Sequence, residues 1–174
     1  MRTAFVAAGA GAGLLASVLA ANPASAEPRT QYYYASATVT VDTTRWDTPA
    51  CPGGKRQFFT AKDANGVDIA YTYSNNKITC VTVAFKPRTL DRDCDFYFYV
   101  PKGHATANVR LRFATDRGIG DGTLINENPT DGWEYVRTAR NVTDVWFTDA
   151  NGQDSGQIGW GMDSVHGIKQ VCRV

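Results

Sequence analysis

The chain has no surplus of charge of either sign: 18 Lys and Arg stand against 17 Asp and Glu over 174 residues. Setting Arg2 aside, the balance is 17 to 17. Nucleic acid and anionic membranes both demand a clustered positive field, so neither is an expected partner. Helical periodicity is missing as well. No segment keeps a 3.6-residue apolar repeat over three turns, which excludes an α-helical domain. After the N-terminal region no apolar run reaches spanning length, so no membrane span is expected in the mature chain.

Catalytic signatures are equally thin. There are two histidines, His104 and His166, and no G-x-S-x-G elbow. Asp163-Ser164-Val165-His166 sets acid, serine and base side by side, whereas a relay draws its members from separate elements. Asp91, Asp93 and Asp95 alternate and would share one face of an extended chain. A glycosidase instead needs two carboxylates facing each other across a cleft, about 5–10 Å apart. The two Asp-Ala-Asn-Gly stretches, at 63–66 and 149–152, depart from the calcium loop whose glycine stands sixth. No cysteine pair has C-x-x-C spacing, which argues against zinc. No catalytic residue, metal or cofactor is assigned.

What is present begins with an export signal. Arg2 precedes an apolar Ala/Gly/Leu-rich run, and Ala24-Ser25-Ala26 offers the small residues that signal peptidase reads. Residues 1–26 are therefore expected to be removed, leaving 27–174 as one secreted, monomeric domain. Asn22-Pro23, where a membrane anchor would carry basic residues, supports that choice. Four cysteines, Cys51, Cys80, Cys94 and Cys172, all follow the cleavage point and read as two disulfides with three possible pairings. We favour the unentangled Cys51–Cys80 and Cys94–Cys172, worth roughly 3.5 and 4.5 kcal/mol by loop-closure entropy.

The aromatic content, 8 Phe, 8 Tyr and 4 Trp, suits a β-rich chain. Strands are expected over 32–41, 57–61, 67–73, 78–85, 123–125, 132–138, 142–148, 157–161 and 166–172, with turns at short intervals. Asn65-Gly66 joins the second and third of these as a hairpin. The pattern is that of an all-β, antiparallel two-sheet sandwich or barrel. Its centre is 94–113. Phe96 and Phe98 alternate with Asp95, Tyr97 and Tyr99, and Val109, Leu111 and Phe113 alternate with Asn108, Arg110 and Arg112. Val100-Pro101-Lys102-Gly103 suits a type I turn, so the two arms are expected to pair as a hairpin. Phe98 would then meet Val109, and Tyr97 would lie beside Arg110 on the wet face.

The C-terminal part of the chain, from Asp95, resembles the golvesin C-terminal-like domain, a β-sandwich module of secreted bacterial proteins. The likeness is carried by Phe98-Tyr99-Val100-Pro101, His104-Ala105-Thr106-Ala107, Asn126-Glu127-Asn128, Gly132-Trp133, and Asp149 with Asn151-Gly152. It implies a jelly-roll-like fold and an accessory, carbohydrate- or surface-associating role rather than a catalytic one. The ending, Gly159-Trp160-Gly161-Met162-Asp163, departs from that family's usual close.

Sugars are held by flat aromatic faces together with planar amides, carboxylates and Arg. Tyr97, Tyr99, Arg110 and Arg112 bring those groups to the expected wet face. Trp46 and Trp160 join them from Gly/Pro-rich loops, while Trp133 and Trp146 are assigned to the core. The expected function is non-catalytic binding of a polysaccharide or another cell-surface ligand. The alternatives are a secreted protein–protein factor, with 48–54 as its contact loop, and a small glycan-active hydrolase.

Overall fold

A computed structural model describes residues 29–41, 58–75, 81–124, 132–149 and 155–174. Among these, every regular element is a strand. In chain order they are β1 (Thr30–Ala35), β2 (Ala37–Val41), β3 (Phe59–Lys62), β4 (Asp68–Asn75), β5 (Val81–Phe85) and β6 (Cys94–Tyr99). There follow β7 (Val109–Thr115), β8 (Gly118–Leu124), β9 (Trp133–Ala139), β10 (Val142–Asp149), β11 (Ser155–Gly161) and β12 (Ile168–Arg173). No helix among the described residues is long and apolar enough to cross a membrane.

One sheet runs β1-β12-β6-β9, a second β2-β5-β10-β7-β8, and a third β11-β4-β3, with antiparallel pairing throughout. Treat β2 as an added edge strand and β3, β4 and β11 as drawn off into the third sheet. The remaining eight strands, counted in chain order, then lie 1-8-3-6 in one sheet and 2-7-4-5 in the other. This is the jelly roll, two interlocked Greek keys that need no helix to cross between sheets.

The alternation within 94–113 is as the sequence implies: Phe96, Phe98, Val109, Leu111 and Phe113 are all buried. Their pairing is not. β6 bonds to β12 and β9, β7 bonds to β10 and β8, and the two arms belong to opposite sheets. The expected hairpin is instead an arch whose two dry faces meet across the sandwich. Phe96 meets the edge of Phe113 at 5.4 Å, and Phe98 meets Phe85 at 5.7 Å. Each such side chain contributes roughly 1.5–3 kcal/mol by burial, more than a wet-face pair could return. Facing the two arms buries both rows across one core, and the strands that flank each arm, β12 and β9 for one and β10 and β8 for the other, fix this arrangement over a hairpin.

A second correction concerns 32–41. The chain breaks at Ser36: Tyr34 and Ala35 pair with Lys169 and Ile168 in the first sheet, and Ala37 pairs with Phe85 in the second. The Asp63-Ala64-Asn65-Gly66 turn does close the β3–β4 hairpin, Lys62 opposite Asp68, with Gly66 at φ 79°. The resulting third sheet sits on the 100–108 arch. Thr106 and Ala107 donate their N–H groups to the Gln157 carbonyl at 2.8 and 3.0 Å. Cys94 and Cys172 lie directly opposite on β6 and β12 and form the expected disulfide. The Cys51–Cys80 pairing falls outside the described residues.

Candidate functional site

The order β1-β12-β6-β9 carries one row of side chains straight across the outer face of the first sheet. Tyr34 lies opposite Lys169, Lys169 opposite Tyr97, and Tyr97 opposite Tyr135. Three interstrand gaps make the row about 14 Å long. The next row adds Tyr32, Val171, Asp95 and Thr138. Tyr32, Tyr34 and Tyr135 are 59, 47 and 50% exposed, so the face is open where they stand.

Trp133 lies over the end of this row. Its ring is 6.2 Å from Tyr34 and 5.5 Å from Tyr99, and it stacks at 18° on His166. The Lys169 ammonium sits over two rings, 4.6 Å from Trp133 and 4.7 Å from Tyr97. These cation–π contacts hold a charge above an aromatic floor. Tyr97 packs edge-on against Tyr135 at 5.7 Å. Burial, followed by the field of Asp95, raises the Tyr97 phenol above its ordinary pKa.

Polar groups border the rings. A cleft of about 330 Å³ beside the second row is lined by Asp93, Asp95, Thr138, Val171 and Arg173. At the other border Asp163 Oδ2 is 2.7 Å from His166 Nδ1, and Asp163 Oδ1 accepts the N–H groups of Val165 and His166. Burial pushes the Asp163 carboxyl up, but the His166 bond and these backbone donors outweigh it and hold it below the usual range. An ionised carboxylate only accepts, so His166 presents its Nδ1 hydrogen to Asp163.

Beneath the rings Tyr99 is 2% exposed and donates its phenol hydrogen to Asp63 Oδ2 at 2.6 Å. Asp63 Oδ1 accepts from the backbone N–H groups of Asn65 and Val67. Burial raises the Asp63 pKa, but the Tyr99 and backbone bonds overcome that and lower it. Burial and the same Asp63 bond push Tyr99 up to about 12. This carboxylate is spent on closing the turn and anchoring Tyr99.

The six residues assigned from sequence are therefore dispersed. Tyr97 stands on the outer face, half-buried between Lys169 and Tyr135. Tyr99 shares the side of β6 that carries Tyr97, but Trp133, His166 and the Asp63 turn cover it. Trp160 is fully buried: it belongs to β11, packs 6.4 Å from Phe58 and helps fill the core. Arg110 and Arg112 lie on the outside of the second sheet, across the sandwich from Tyr97, and Arg112 is 3.7 Å from Asp121. Trp46 falls outside the described residues.

Trp133 and Trp146, assigned to the core, are half-buried on opposite outer faces; Trp146 lines an open groove with Thr82, Ala84, Ala114 and Asp144. His104 is packed rather than presented, stacked on Tyr71 at 4.6 Å and bonded to Gln157 at 3.1 Å. The residues missed were Tyr32, Tyr34, Tyr135 and Lys169. The Tyr32-Tyr33-Tyr34 run was a signal, since alternation puts its first and third members on one side. Comparison with known proteins finds no matching family, no matching curated protein and no matching solved structure.

Proposed function

We propose that the protein is a secreted, non-catalytic binding module that holds a glycan or another extracellular surface component on the outer face of its four-stranded sheet. The observation that carries this reading is the open Tyr34–Lys169–Tyr97–Tyr135 row with Trp133 at its end. Flat rings accept the C–H faces of sugars, and the carboxylates and Arg173 beside them suit hydroxyl groups. A platform on a rigid sheet loses little conformational freedom when a ligand arrives. The resemblance to the golvesin C-terminal-like domain, with its surface-associating role, points the same way.

The test is affinity electrophoresis and pull-down against a panel of soluble and insoluble polysaccharides, run beside an activity panel. Retardation by at least one polysaccharide is expected. The Tyr34→Ala/Tyr135→Ala variant should weaken it about tenfold or more, with unfolding midpoint unchanged, since both side chains are exposed. Retention that ignores this double substitution, or turnover without retention, overturns the reading. A stable complex with an exported protein that is indifferent to added sugars assigns the face to a protein partner instead.

A further inference from the structure

A different part of the molecule carries an inference that stands whether or not the aromatic face binds a glycan. At the side of the sandwich, β8 and β9 are the edge strands of the two facing sheets. Between them opens a cleft of about 340 Å³. Its lining includes Arg117, Arg137 and Arg140, and among the described residues Asp93 is its one carboxylate.

Arg137 is aimed there by a β-bulge. Phe96 pairs with Arg137 and Tyr97 with Tyr135, so Val136 is the extra residue and the alternation slips. Val136 and Arg137 then both reach toward β8. A Cβ on Gly122 would lie 2.5 Å from Val136, and one on Gly120 would lie 2.4 Å from Arg137 Nη1. Bulges re-aim side chains in this way, often beside functional sites. The Arg137 guanidinium lies 5.3 Å from the centre of the Phe113 ring and donates from Nη1 to the Asp121 carbonyl at 3.1 Å. It is thus held in place by a ring and a backbone oxygen, not by an acid.

The charges around the cleft are unevenly used. Asp91 and Asp93 flank Arg140 at 3.9 and 3.5 Å, the Asp121 carboxylate is beside Arg112, and Asp116 accepts from Asn141. Among the described residues no carboxylate pairs with Arg117 or Arg137. The Nε groups of Arg137 and Arg140 are buried and make no hydrogen bond among the described residues, but only the Arg140 Nε has carboxylates beside it, Asp93 at 3.5 Å and Asp91 at 3.9 Å. Buried N–H donors are normally satisfied, and a planar oxyanion satisfies guanidinium donors two at a time.

We propose that this lateral cleft is a binding site for an oxyanion group, the carboxylate of a uronic acid or a sulfate, received by Arg117 and Arg137 with Arg140 at its border. The mature chain is otherwise near neutral, so this is a local demand for negative charge rather than a diffuse basic surface.

The experiment titrates the full chain at low ionic strength with galacturonate, with inorganic sulfate and with neutral galactose, following the arginine Nε–H NMR signals. A saturable shift of the Arg137 and Arg140 signals is expected with an oxyanion and not with galactose. It should weaken about tenfold or more in Arg117→Ala and in Arg137→Gln. Arg137→Gln also uncovers Phe113, so Gly120→Ala serves as a second probe. It keeps the charge but pushes the guanidinium aside, and it should weaken binding with the far-UV circular dichroism unchanged. A response to galacturonate alone identifies an acidic sugar, and equal responses identify a general oxyanion site; both support the proposal. No saturable response to either oxyanion, an equal response to galactose, or full affinity in both Arg117→Ala and Gly120→Ala overturns it. Loss of polysaccharide retention in Tyr34→Ala/Tyr135→Ala leaves this titration unaltered, so the two sites fail separately.

Discussion

At the scale of single residues, the Asp63–Tyr99 pair links the first turn of the third sheet to the floor of the aromatic face. Both are nearly buried, and the phenol is the donor to Asp63 Oδ2. With its pKa pushed up to about 12, Tyr99 keeps its hydrogen throughout the neutral range. Tyr99→Phe removes the donor and leaves a buried carboxylate oxygen short of a partner. A loss of roughly 1.5–3 kcal/mol is expected at neutral pH, read from urea unfolding. The sign of the pH dependence follows from the lowered Asp63 pKa. Its contribution is complete above the unfolded value near 3.8 and is lost as pH falls through the lower folded value. The gap between wild type and Tyr99→Phe should therefore narrow on going from pH 7 to about pH 3. Asp163 titrates in the same direction, but it does so in both proteins and cancels. An equal gap at both pH values would assign the loss to packing of the ring instead of to the ionised pair.

At the scale of elements, close approach of backbones is what brings the His166 border to the face. A Cβ on Gly161 would sit 1.8 Å from the His166 carbonyl oxygen and 2.6 Å from its carbonyl carbon. Backbone atoms cannot swing aside, so Gly161→Ala must displace β11 or the 162–167 loop. A destabilisation of about 1–3 kcal/mol is expected, with altered Trp133 fluorescence as the His166 ring moves off it. An unchanged unfolding midpoint would show that the loop yields at no cost. Elements are also where the sequence was partly legible. Alternation told which residues of 94–113 face the core, because side-chain period is a local property of an extended chain, but not that Tyr99 is covered on the other side. It could not tell whether two dry faces lie side by side in one sheet or face to face across a core. Both arrangements bury Phe96, Phe98 and Leu111, and only the remaining strands choose between them. β8 was seen only at its end, since Gly118-Ile119-Gly120-Asp121-Gly122 has little strand propensity and is held by its pairing with β7. The aromatic row was legible one residue at a time. Tyr34, Tyr97 and Tyr135 are far apart in the chain, and the order β1-β12-β6-β9 alone makes them neighbours.

For the whole molecule, the Cys94–Cys172 bond joins the two central strands of the sheet that carries the aromatic face. The cysteines are 78 residues apart in sequence, yet their Cα atoms are held 4.4 Å apart by the β6–β12 ladder itself. Ladder and buried phenylalanines already specify that proximity, so the cross-link adds little to the shape of the folded state. Its effect falls on the unfolded chain, where closing a loop of this length removes entropy worth about 4.5 kcal/mol. Cys94→Ala/Cys172→Ala should then lose about 2–5 kcal/mol of stability while still folding to the same sandwich. The unfolded state, released from its loop, should expose more surface, so the urea m-value should rise as the midpoint falls. Near-UV circular dichroism below the new midpoint should match wild type, because the rings of the outer face are placed by register and not by the sulfurs. A lower midpoint with unchanged m and altered near-UV signal would locate the contribution in the folded state, making the bond a part of the face's geometry. A midpoint that does not move would leave the ladder and core as sufficient on their own.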